Sequence, residues 1–137
     1  MPQRDYLMQQ LEEMGYFLAS LIRRVLKLKD ESREDEITEM LHELIQEKLS
    51  FDLNEAIVLD NDGFLELMKE HFQTEDHLEE MAELLMLTGK SIHPLSITRI
   101  NYLDKALVLY NHLQETSQNF SFTRKDKIME IRQLLGS

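Results

Sequence analysis

A chain of 137 residues fits one domain, 1–137, long enough to bury roughly two thirds of its unfolded surface. Having no cysteine, it is excluded from disulfide, thiolate-metal and cysteine-nucleophile chemistry. Twenty-six acidic residues against 15 basic ones leave a net charge of -11, a field that repels nucleic acid and anionic lipid and disfavours both as partners. No apolar run approaches the ~18 residues of a membrane span, and MPQRDYLMQQ carries Arg4 and Asp5 where a secretory leader would be apolar, so a soluble cytoplasmic protein is expected.

The first predicted helix runs from about Gln3 to Lys29, with Leu7, Leu11, Met14, Leu18, Leu21 and Val25 at three and four spacing. Arg23, Arg24, Lys27 and Lys29 gather toward its end and Asp5 near its start, as the helix dipole favours. At about 100° per residue its apolar side chains fill an arc of about 140°, which Met8, Leu26 and Ala19 widen to about 200°. One neighbouring helix cannot cover that arc. The broad face is expected either to sit between two helices of its own domain or to form a two-fold homodimer in which Met8 and Leu26 take part. Gly15 interrupts this helix at roughly 1 kcal/mol relative to alanine, which predicts a compensating close crossing by a neighbour.

Ser32 followed by Asp35 resembles a capping box for a second helix carrying Ile37, Met40, Leu41, Leu44, Ile45 and Leu49. SFDLNEAIVLDNDGF predicts one short helix and a turn at Asn61, Asp62 and Gly63, after which a helix resumes from Phe64 to about Phe72. Thr74, ahead of Glu75 and Asp76, opens the next, expected to end at Gly89. Pro94 opens another, with Ser96 as the alternative cap, and Ile97, Ile100, Leu103, Leu107, Tyr110 and Leu113 form its apolar face. The last helix follows Ser121, with Phe120 placed to pack back on it. Short connections and the absence of strict alternation predict an all-α antiparallel helix-hairpin array of about six helices.

Chemistry-bearing patterns are few. Glu39 and His42 have the Glu-x-x-His spacing of bundle-core di-metal sites, which need that motif twice; here it occurs once, leaving a solvated helix face as the competing reading. Gln46 stands where a zinc-protease helix needs its second histidine. Aligning DNDG with a calcium loop puts Val58 and Lys69 at ligand positions, so a turn with a helix cap is expected there. His71, His77 and His93 read as surface or capping histidines, with a functional cluster as the alternative. Neither a Gly-rich phosphate loop nor a nucleophile elbow is present, and no cofactor is implied.

Ala106 and Tyr110 reproduce the alanine, three residues, aromatic pattern of a tetratricopeptide second helix, where a small residue admits a neighbour and a large one fills the gap. Lys90 and His93-Pro94 stand where the rest of that signature belongs. More broadly, RDYLMQQLEEMGYFLA and ALVLYNHLQETSQNFSFTRKDKI resemble a family of small acidic bacterial proteins of unknown function with a tetratricopeptide-like helical architecture. That resemblance implies the fold and carries over no catalytic residue. The expected function is a non-enzymatic helical protein-interaction module, with a protein partner or a homodimer. The alternative is a metal-dependent or small-molecule enzyme built in a helical-bundle core around Glu39 and His42.

Overall fold

The computed structural model describes residues 2–136, and the chain is all-α, with no strand among those residues. In order come α1 (Pro2–Asp30), α2 (Ile37–Leu49), α3 (Leu53–Ala56), α4 (Asn61–His71), α5 (Glu75–Ser91), α6 (Ile97–Thr116) and α7 (Phe122–Leu134). A 3-10 turn, Glu34–Glu36, precedes α2. The first turn of a helix leaves backbone amides without carbonyl partners, and a short side-chain oxygen satisfies one of them. Asp52, Asp60, Thr74, Ser96 and Ser121 do this at the starts of α3 to α7.

Several local expectations need correction. Ser32 does not cap α2: it takes a left-handed backbone (φ 57°) that terminates α1, its amide donating to the Lys29 carbonyl, so the capping box with Asp35 does not form. The helix cap expected at this turn is Asp60, whose carboxylate accepts the Gly63 amide at 2.8 Å, but α4 begins at Asn61 and not at Phe64, so Asn61, Asp62 and Gly63 form its first turn. Gly89 does not end α5, which continues to Ser91; helical backbone needs no left-handed residue there, and the missing side chain serves packing instead. Pro94 lies in the connecting turn and Ser96 caps α6. On α6 the buried face is Tyr102, Leu103, Ala106, Leu109, Tyr110 and Leu113, whereas Ile97 and Ile100 are turned away from that face and lie in solvent.

Helix α5 is the centre of the domain, packing on α6 most extensively and also on α1 and α2; α6 in turn packs on α7 and α4. Directions follow from cross-helix pairs. Arg124 with Glu79, Lys127 with Glu83 and Lys90 with Glu130 advance together along α5 and α7, so these two helices are parallel. Gly89 meets Leu103 near one end of α6 while the Ser117 hydroxyl donates to Glu75 at the other, so α6 runs antiparallel to α5. The core is one cluster in which Phe64, Phe72, Tyr102 and Tyr110 are the largest fully buried side chains.

Two cations are buried in it. Arg124, 7% exposed, donates through Nε and Nη2 to Glu79 and through Nη1 to Gln114 Oε1 at 2.9 Å, so one guanidinium ties α7 to α5 and α6. Lys105 donates to Asn61 Oδ1 and to Asp104 Oδ2, with the Phe64 ring 6.0 Å from its ammonium. Arg124 spreads its charge over a planar fork that meets several acceptors at once, which makes its burial tolerable. The hydroxyls of Tyr102 and Tyr110 have no hydrogen-bond partner among the described residues, and burial raises both phenols well above the ordinary tyrosine range; the carboxylates of Glu83 and Glu79 add to the effect at Tyr110.

Candidate functional site

Helix α1 is covered unevenly. Its second half is held by α5 and α2 and buries Leu18, Leu21 and Val25, while every described side chain from Gln3 to Glu13 is exposed. The periodic apolar side therefore continues past the body that would cover it, and Leu7 and Leu11 remain in solvent although they belong to the same stripe as Leu18 and Val25.

Where that stripe leaves the body it walls a groove of about 440 Å³, closed by the C-terminal end of α2 and by the junction of α4 and α5. Leu7, Leu11, Met14 and Leu49 make its apolar surface; Gln10, Glu13, Lys48, His71, Gln73 and His77 supply polar groups at its edge. His71 is held against Phe51, ring centroids 4.7 Å apart. His77 is positioned by the start of α5, where its amide donates to the Thr74 hydroxyl at 3.1 Å, and its imidazole is largely buried. His71 and His77 thus come together in one groove. His93 does not join them; its Nδ1 accepts the Leu95 amide at 3.1 Å in the turn before α6. An apolar trough whose rim carries Lys48, Glu13 and two imidazoles suits the apolar face of a peptide or helix.

Gly15 lies on α1 where His77 approaches. A methyl group there would sit 3.6 Å from Nε2, an ordinary contact. The tight approach is at Gly89 instead, where a methyl would lie 2.8 Å and 2.9 Å from Leu103 carbons and 3.2 Å from the Tyr102 Cβ. Ala106 and Tyr110 are both fully buried on the face of α6 that builds the core.

The pair Glu39 and His42 separates. Glu39 is exposed and lines a second groove, of about 680 Å³, between α1 and α2, among Arg24, Lys27, Arg33 and Glu36. His42 is turned to Asp52, its Nδ1 3.4 Å from Oδ1. Among the described residues no three histidine, aspartate or glutamate side chains converge on a point. In the second groove the Arg33 guanidinium bonds both Glu36 oxygens, at 2.6 and 2.7 Å, and through those hydrogen bonds holds that carboxyl below its ordinary range.

Met8 and Leu26 both lie in solvent on α1, 53% and 43% exposed. Reasoning from sequence missed Lys48, Leu49 and Gln73 as walls of the first groove: nothing local in α2 or in the α4–α5 junction indicates that α1 passes beside them. It also missed Arg124, whose position three residues after a cap looks like any exposed first-turn cation. No helix among the described residues is long and apolar enough to cross a membrane. Comparison with known protein families, curated proteins and solved structures found no match.

Proposed function

We propose that this protein is a non-enzymatic helical interaction module acting in the cytoplasm, and that it receives a protein partner in the groove beside the first half of α1. The observation that carries this reading is the continuation of the α1 apolar stripe, through Leu11 and Leu7, beyond the body that covers it, along a groove rimmed by Lys48 and His71. The resemblance to small acidic bacterial proteins of tetratricopeptide-like architecture belongs to the same proposal. It is supported by the antiparallel α5 and α6, by the parallel placement of α5 and α7, and by the close approach at Gly89 with Ala106 on the buried face of α6. The enzyme reading has no comparable support, since Glu39 and His42 turn to different neighbours.

Capture from cell extract on immobilised protein tests the reading. A specific protein is expected on the wild type, lost with Leu7→Asp and Leu11→Asp and retained with Leu95→Asp, a 90% exposed position in the turn before α6. Repeated blanks, or capture indifferent to Leu7 and Leu11, count against it.

A further inference from the structure

The outward flank of α1, beside the apolar stripe, carries a pattern of its own. Met8 and Leu26 are 18 residues apart, five full turns, so they lie on one line along the helix. Ala19, Glu12, Arg23 and Tyr16 fall within about 80° of that line. Tyr16 is 72% exposed, Glu12 and Arg23 are exposed, and neither charged residue is in an ion pair among the described residues.

We propose that this face pairs with the same face of a second copy of the chain, the two α1 helices lying antiparallel about a two-fold axis. Setting Met8 against Leu26 of the second copy places Glu12 beside the second copy's Arg23 and Tyr16 over its Ala19. An acid meets a base, a large side chain meets a small one, and each match occurs twice because the axis repeats it. The complementarity comes from the polarity of this face, acidic in its first half at Glu12 and basic in its second at Arg23. A parallel arrangement would oppose like charges along the whole length. One helix face is a small interface, so the dimer is reversible, with a dissociation constant on the order of micromolar to tens of micromolar. The pairing uses the side of α1 turned away from the groove and stands or falls independently of the partner proposed there.

Sedimentation velocity and disulfide trapping test it together. The wild type is expected to pass from monomer to dimer with rising concentration up to about 300 micromolar. Glu12→Arg and Arg23→Glu, both at exposed positions that leave the fold intact, each weaken the dimer about tenfold, and the double reversal restores it. The chain has no cysteine of its own, so Met8→Cys and Leu26→Cys proteins mixed under mild oxidant are expected to form a mixed disulfide faster than either alone. A wild type monomeric at every concentration overturns the proposal. So does a double reversal that fails to restore the dimer, and so does cross-linking of Met8→Cys with itself as fast as with Leu26→Cys.

Discussion

Gly15 and Gly89 interrupt two helices that pack on one another, and the same substitution at each should change stability in opposite directions. Replacing glycine by alanine within a helix gains up to about 1 kcal/mol from reduced backbone freedom in the unfolded chain. At Gly15 nothing opposes that gain, because the nearest atom to the new methyl, His77 Nε2, lies at 3.6 Å. At Gly89 the methyl falls 2.8 and 2.9 Å from Leu103 and 3.2 Å from the Tyr102 Cβ. Leu103 is only 1% exposed and has nowhere to swing, and a Cβ moves only with its backbone, so α6 must shift. Overpacking of this kind costs about 1–3 kcal/mol, which leaves Gly89→Ala destabilised by about 1 kcal/mol after the helical gain. A domain of 137 residues has an unfolding entropy of about 0.29 kcal/mol/K, so 1 kcal/mol moves the midpoint by about 3.5 °C. Calorimetry is therefore expected to place Gly15→Ala about 3 °C above the wild type and Gly89→Ala about 3 °C below. If Gly89→Ala melts as high as Gly15→Ala, the close crossing is not where the structure puts it.

Ala106→Leu, in the fully buried face of α6, is expected to lower stability by about 1–3 kcal/mol in urea titration, and a change below about 0.5 kcal/mol would place the residue outside the core. Arg124→Ala removes the bonds to Glu79 and Gln114 and should cost about 2–3 kcal/mol, less than a fully dry ion pair because the Glu79 side chain is 35% exposed and regains water; no change on guanidinium unfolding would show the link to be idle. Tyr102 and Tyr110 keep their protons in the fold at a pH where unfolded phenols lose them. The sign follows: their contribution is present below about pH 10 and is lost as pH rises above it, by about 2.7 kcal/mol per pH unit for two protons. Two of the four tyrosine absorbance changes near 295 nm should then arrive only with the loss of helical circular dichroism, and four changes on a folded protein would refute the burial.

Local chemistry made most helix starts readable. Thr74 and Ser121 cap where a short oxygen meets orphan amides, and the stripe Ile37, Leu41, Ile45 is buried as its spacing requires. Where two local solutions compete, only the global arrangement chose between them. Asp60, Asn61, Asp62 and Gly63 can make a free turn or a capped first turn; the helix won, and it places Phe64 and Met68 in the core. Ser32 can cap α2 or end α1, and the left-handed backbone settled it in favour of α1. His71 and His77 were visible as residues, but their common groove depends on α1 passing beside them, a contact made across more than 50 residues of chain.

From its own sequence this protein was determined to be helical, cysteine-free and acidic, with one long helix whose apolar arc is too broad for a single neighbour. Those are properties of spacing and composition, which act over a few residues and do not depend on what lies opposite. Tertiary structure alone decided which part of that arc is covered, because coverage depends on where α5 and α2 end relative to α1. It also decided that Gly89 rather than Gly15 marks the close crossing, and that Arg124 lies buried as a tie between three helices while Ile97 and Ile100 face water. A glycine, an arginine and an isoleucine each carry the same local chemistry in either setting; burial is a property of the opposing surface, and no window of neighbouring residues contains it.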